Sequence, residues 1–269
     1  MRSLPLVAVA ALASTSWTHS ADHANAVLPG NVVDIVARDF FFQAPDTIPA
    51  GLTTLRLRVD QGGHIAVLVR LDSGHTAADL LRSRREGTAR PPWARFLGGP
   101  GFPGPGQTAN ATLTLAPGNY LLMCDVDDRS GMRHFEKGMF HPLVVRPALS
   151  SKAASLPRAD VVATMRDHRY EFSAPIRPGQ RVLRIVNQGS VMHEFRVAHV
   201  LPGHTGQESL AWKPGDKAPR PDEDVTAIVG LVPGAELTTT VPFVAGEYVV
   251  LCVSQIAHGM IQIVRVADH

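Results

Sequence analysis

A block of about 130 residues occurs twice in this chain, and that duplication limits the fold more than any other feature. Phe42-Gln43-Ala44-Pro45 returns as Phe172-Ser173-Ala174-Pro175. Gly51 followed by Leu55-Arg56-Leu57 returns as Gly179 followed by Leu183-Arg184-Ile185. The stretch from His64 to Gly74-His75-Thr76 equals in length the one from His193 to Gly203-His204-Thr205. Gly118-Asn119-Tyr120 with Cys124 returns as Gly246-Glu247-Tyr248 with Cys252. A repeat this long exceeds a solenoid unit and means a duplicated domain. The expected organisation is one unit over residues 27–147, a small, polar, Pro-containing linker over 148–159, and a second unit over 160–269.

Residues 1–26 read as an export signal. Arg2 supplies the positive end, Leu4 to Ala13 the apolar run, and Ala24-Asn25-Ala26 the small-residue cleavage site. The run is too short to span a bilayer as a helix. The expected product is a soluble periplasmic or secreted protein with no membrane span.

Each copy is built of short, β-branched segments. Leu55-Arg56-Leu57-Arg58-Val59 alternates apolar and polar, as a half-buried antiparallel strand does. The 23 glycines and 21 prolines suit strands joined by turns better than long helices. Thr76 to Arg85 has helical spacing with a threonine at its start. The fold class is therefore all-β: two tandem Greek-key β-sandwich domains, each with a short helical insertion. Arg90 to Gln107 is so rich in Pro and Gly that it predicts an irregular surface loop over one end of the first sandwich.

The net charge of +2 shows no clustered Lys and Arg track, so nucleic acid is not an expected partner. Gly-x-Ser-x-Gly, His-Glu-x-x-His and phosphate-loop patterns do not occur. The 2 cysteines would make one disulfide in the simplest reading. The repeat argues against it, because Cys124 and Cys252 hold equivalent places in separate units.

Chemistry concentrates between Gly118 and Met139. An apolar strand ends at Cys124, a polar loop follows, then His134 and Met139. Thiolate, imidazole and thioether are soft donors that suit copper, and His64 from a distant strand would add the second imidazole. A buried structural cysteine is the plainer reading of Cys124 alone. His75 and His204 open matching turns and are expected to be exposed, and His141 and His168 read as surface or strand histidines. Asp125, Asp127 and Asp128 lack the glycine and terminal Glu of a calcium loop and are expected to be solvated.

With these residues in view, the mature chain resembles two cupredoxin domains of the plastocyanin/azurin, blue type 1 copper family. The resemblance rests on FQAPDTIPAG after Phe41, on G-x-Y-x-x-x-C … H-x4-M over residues 118–139, and on Asn187-Gln188-Gly189 before His193. It implies His64, Cys124, His134 and Met139 as copper ligands in the first unit. In the second, His193, Cys252 and Met260 match, and His258 completes a weaker set. The chain departs from the family in three places. Nine residues, Asp125 to Arg133, separate Cys124 from His134 where the family has few. Asp60 stands where the motif has Asn. In the second copy the counterpart of His134 is lost with the loop, and His258 aligns with Lys137.

The implied function is an exported carrier of single electrons, with one copper per chain in the first unit and a redox protein as partner. The alternative is a metal-free or copper-storing cupredoxin-fold module. No His-x-His or His-Cys-His pair occurs in the sequence. On that ground copper oxidase or nitrite reductase activity is not expected.

Overall fold

The computed structural model describes residues 27–38, 40–88, 90–104, 106–148, 154–213 and 215–268. The stretch 1–26, expected from the sequence to be an export signal, and the middle of the expected linker, 149–153, lie outside the described residues. The first copy runs β1 (Asn31–Arg38), β2 (Phe41–Gln43), β3 (Thr47–Pro49), β4 (Gly51–Val59), β5 (Val67–Leu71), helix α1 (Ala77–Arg85), β6 (Ala94–Gly101), β7 (Thr108–Leu115) and β8 (Gly118–Met123). A 3-10 turn over His134–Lys137 and β9 (Phe140–Arg146) complete it. The second copy runs β10 (Val161–Arg166), β11 (Arg169–Phe172), β12 (Gly179–Asn187), β13 (His193–Val200), α2 (Gly206–Ala211), β14 (Asp222–Leu231), β15 (Glu236–Phe243) and β16 (Gly246–Leu251). It ends with a 3-10 turn over Val253–His258 and β17 (Ile261–Val266).

The duplication predicted from the sequence is a duplication of topology. In the first copy β1 pairs with β2 antiparallel and with β4 parallel, and β4 pairs with β7. In the second copy β10, β11, β12 and β15 repeat those pairings. The facing layer of the first copy is β6-β5-β8-β9-β3, and that of the second is β14-β13-β16-β17. Each copy is thus a sandwich of two sheets. Strand alternation explains the layering: Leu55 and Leu57 are fully buried, while Arg56 turns outward and bonds Asp34 on β1, its register partner, at 2.6 and 2.9 Å.

Both helical insertions start the same way. The Thr76 hydroxyl accepts from the Asp79 amide and the Asp79 carboxylate accepts from the Thr76 amide. Thr205 and Glu208 repeat this reciprocal cap.

The segment from Arg90 to Gln107 corrects the sequence expectation. Instead of an irregular loop it holds strand β6, which pairs with β5 on one side and β14 of the second copy on the other. Its glycines serve close approach rather than looseness. A Cβ at Gly99 would sit 2.0 Å from the Ala66 carbonyl oxygen, and one at Gly101 would sit 2.7 Å from the Ile65 side chain. Glycine removes that obstacle, and the strand runs into the seam between the copies. The other layer is joined where β7 meets β15 in register at Thr112 and Thr238. There Asn110 donates to the Thr240 carbonyl at 2.7 Å and accepts from the Thr240 amide at 2.9 Å. Each copy thereby covers two edge strands of the other, β6 and β7 meeting β14 and β15, which removes four exposed edges. Two cores lie on either side of the seam, with Cys124 in the first and Cys252 in the second, both as free thiols.

Candidate metal centre

Three donor side chains meet at one end of the first sandwich. His64 lies just ahead of β5, in a segment with an isolated bridge from Ile65 to Gly101 rather than in the strand itself. Cys124 follows the end of β8. His134 opens the 3-10 turn. The Cys124 Sγ is 3.8 Å from His64 Nδ1 and 3.5 Å from His134 Nδ1, and the two Nδ1 atoms are 3.2 Å apart. Donors about 2.1 Å from one ion in a trigonal plane lie about 3.6 Å from each other. The observed separations fit that arrangement, and one thiolate with two imidazoles is a copper-suited set. Among the described residues this is the one group of three His, Cys, Asp or Glu side chains with ligand atoms within 4.8 Å of one another.

The nine-residue loop does not carry His134 away, because it closes on itself. The His134 amide donates to the Val126 carbonyl at 2.8 Å and the Phe135 amide to the Cys124 carbonyl at 3.0 Å. Asp127 and Arg133 form a bridge across the base of the loop. At its tip the Asp128 carboxylate accepts from the Ser130 and Met132 amides. Chain that leaves next to Cys124 therefore returns next to Cys124.

Asp125 differs from its expected solvated state. Its side chain is 18% exposed and takes the Arg84 Nη2 at 2.7 and 3.0 Å on its two oxygens, and the Arg133 Nη1 at 2.6 Å. The hydrogen bond it donates to Asp125 raises the Arg133 guanidinium above its usual range. Arg84 comes from the last turn of α1 and lies over the Phe135 ring, 4.4 Å from its centroid. The helical insertion thus clamps both ends of the turn that carries His134. Arg84 was not singled out from the sequence, because no local motif marks it.

His64 and Cys124 are buried, as is His134, and Met139 is fully buried. Met139 accepts from the Cys124 amide at 3.1 Å and donates its own amide to the His134 carbonyl at 3.0 Å. Its backbone is thus tied to both neighbours. Burial pushes the Cys124 thiol up to about 11, and burial likewise lowers His134. Without a metal, the centre therefore favours a neutral thiol and a neutral imidazole.

The second copy assembles less. His193 Nδ1 is 3.8 Å from Cys252 Sγ, and the buried Met260 accepts from the Cys252 amide at 3.0 Å. His258 is not brought to them: it is exposed, and its ring lies 5.5 Å from that of His168. It fails to arrive because it sits at the outer end of a 3-10 turn with no buried residues. His75, expected in the open, is half-buried and stacks on Trp93 at 4.0 Å.

No protein-family model and no curated protein matches the chain. Among solved structures, a dithionite-reduced auracyanin of Roseiflexus castenholzii is 19% identical, covering 40% of this chain and 95% of its own, at a TM-score of 0.29. A copper nitrite reductase from Nitrosomonas europaea is 15% identical, covering 89% and 84%, at 0.26. A blue copper oxidase from Nitrosomonas europaea is 13% identical, covering 88% and 87%, at 0.25.

The expectation that the chain lacks enzymatic activity is corrected. It rested on the absence of His-x-His and His-Cys-His pairs from the sequence. The fold assembles a His, Cys, His triad from residues 70 and 10 positions apart, so a contiguous pair is not needed to build one.

Proposed function

We propose that the first copy holds one copper ion through which single electrons pass. His64, Cys124 and His134 would hold it as the three close donors, with the Met139 thioether as the weaker fourth. The observation that carries this reading is the convergence of the three donors at trigonal spacing in a buried pocket. Copper bound by such a set would supply one-electron chemistry between Cu(I) and Cu(II). The chain's own contribution is rigidity. Cys124 and Met139 are linked through their backbones, His134 is pinned by two backbone hydrogen bonds, and Arg84 holds the preceding turn through Asp125. Donors that cannot rearrange keep the geometry alike in both oxidation states. The partner is a redox protein that docks over this end of the sandwich.

Residues 27–147 and 160–269 are the two units of this reading, and residues 1–26 direct export to the periplasm or beyond. Among the described residues no helix is long and apolar enough to cross a membrane. Cell fractionation with determination of the mature N-terminus tests the export step.

The copper assignment is tested by loading the purified chain with Cu(II). An intense thiolate-to-copper charge-transfer band in the visible supports it, and loss of that band in Cys124→Ser but not in Cys252→Ser places it in the first copy. A colourless loaded protein with Cys124 free defeats it.

A second reading is favoured by the same triad. The centre would feed electrons to a further copper within an oxidase or reductase. More than one redox-active copper per chain, together with steady turnover of dioxygen or nitrite by an electron donor, would select this reading.

A further inference from the structure

The second copy keeps one half of the donor set intact. The His193 to Cys252 separation, 3.8 Å from Nδ1 to Sγ, equals that of His64 to Cys124 and uses the same ring nitrogen. The bond from the cysteine amide to the methionine carbonyl is repeated as well, at 3.0 Å for Cys252 and Met260 against 3.1 Å for Cys124 and Met139.

The missing donor has been replaced, not deleted. In the first copy the Met139 amide donates to the His134 carbonyl; in the second the Met260 amide donates to the Gln255 carbonyl. Gln255 therefore stands at the backbone position of His134. What has been cut is the closed loop before it, reduced to Val253 and Ser254. The residue there is a glutamine rather than a histidine, and the side chain beside the Cys252 sulfur is that of Ser254, its hydroxyl 3.4 Å away.

His193 is meanwhile held more tightly than a core histidine requires. Its Nε2 lies 3.0 Å from the Asp167 Oδ1, and Asp167 accepts from the Ser190 amide. A Cβ at Gly189 would lie 2.4 Å from Nε2 and 2.6 Å from the Asp167 oxygen, so only glycine leaves room for this pair. A carboxylate accepting from Nε2–H leaves the Nδ1 lone pair facing the sulfur, the tautomer a metal ligand needs. The same Asp–His–Cys line would serve a nucleophilic cysteine. Cys252 is fully buried, however, and burial raises its thiol, so no substrate reaches it in a reactive state.

We infer that the second copy binds a single Cu(I) ion between His193 Nδ1 and Cys252 Sγ, with Met260 as third donor, and that this ion does not cycle. With bonds of roughly 2.0 and 2.3 Å, a separation of 3.8 Å gives an angle of about 125° at the metal, open enough for a third ligand. Thiolate and thioether select Cu(I), and a site with one imidazole lacks the nitrogen donors that stabilise Cu(II). Binding exchanges the Cys252 thiol proton for the ion: the S–H bond breaks, an S–Cu bond forms, the proton leaves to solvent, and no electron moves. The turn Val253–His258, which follows Cys252 directly, has no buried residue of its own. This site is independent of the one in the first copy.

The test uses full-length Cys124→Ser, shown to be folded by circular dichroism, titrated anaerobically with Cu(I) against a colorimetric Cu(I) chelator. One Cu(I) retained per chain, lost on adding Cys252→Ser, and no visible band with Cu(II), is the expected result. No Cu(I) retained, or a thiolate-to-copper band with Cu(II), overturns it. Should Cys124→Ser not fold, the wild type retaining one more Cu(I) than Cys252→Ser gives the same answer, and equal retention overturns it. Gln255→His in the Cys124→Ser chain should restore a trigonal set and create a visible band; its absence overturns the equivalence of Gln255 and His134.

Discussion

The Nδ1 atoms of His64 and His134, 70 positions apart in the chain, lie 3.2 Å from each other with the Cys124 sulfur beside both. Two ring nitrogens cannot face each other at that distance with both lone pairs or both protons between them. In the metal-free protein one of them must carry the proton that the other accepts. A metal ion replaces that proton and satisfies both.

That relationship makes His134 the residue on which colour depends. His134→Gln in the first copy imitates Gln255 in the second. It should abolish the visible copper band and leave Cu(I) binding through His64 and Cys124 in place. Optical spectra with Cu(II) and chelator competition with Cu(I) measure the two halves of this prediction.

Arg84 should matter to the same site from a distance. Its side chain is 6% exposed and bonds both Asp125 oxygens. Arg84→Ala leaves Asp125 with Arg133 alone and should cost about 1–3 kcal/mol. The expected signs are a lower Tm for the metal-free protein, faster proteolytic cleavage within residues 127–132, and an altered spectrum of the copper-loaded form. An unchanged spectrum with a lowered Tm would confine Arg84 to a role in stability.

The buried thiol sets an alkaline limit on the metal-free fold. Cys124 titrates near its ordinary 9.0 when unfolded and at about 11 when folded, mainly through burial. A group raised in the folded state contributes stability that is complete below its unfolded value and lost as pH rises through its folded value. Stability should therefore fall between about pH 9 and 11, by at most about 2–3 kcal/mol from this group. Burial also raises Cys252, which acts in the same sense. Denaturant unfolding across that range should show a smaller alkaline loss in Cys124→Ala than in the wild type.

The seam between the copies admits a steric test. Gly99→Ala places a methyl group 2.0 Å from the Ala66 carbonyl oxygen, a backbone atom that cannot turn aside. Overpacking of this kind costs about 1–3 kcal/mol, and here it would part β6 from β5. Asn110→Ala, which strands the Thr240 amide and carbonyl, should cost about as much. Thermal unfolding of both variants checks this, and a Tm within error of wild type in Gly99→Ala would show that β6 approaches the Ala66 backbone less closely than described.

Much of this arrangement was legible in the residues themselves. The duplication, the alternating strand at Leu55 to Val59, the Thr76 cap and the His64, Cys124, His134 set all rest on local pattern or on comparison of the copies. Strand β6 was not legible, because its glycines and prolines read as turn chemistry. They serve close approach to backbone that is distant in sequence, and only the folded chain shows what they approach. Asp125 misled for a similar reason. Its partner Arg84 is 41 positions away, so a buried ion pair looked like a solvated acidic loop. Gln255 was missed because the counterpart of His134 was taken to be lost with the shortened loop, although aligning His258 with Lys137 sets Gln255 opposite His134. The backbone hydrogen bonds to the two methionines, not residue type, reveal the equivalence.

The most direct test of the central claim is copper X-ray absorption on the Cu(II)-loaded Cys252→Ser protein, in which the first copy alone supplies a thiolate. The account predicts one short Cu–S bond and two Cu–N bonds to imidazole at a single copper. A spectrum with nitrogen and oxygen ligands only, and no short Cu–S bond, would contradict it.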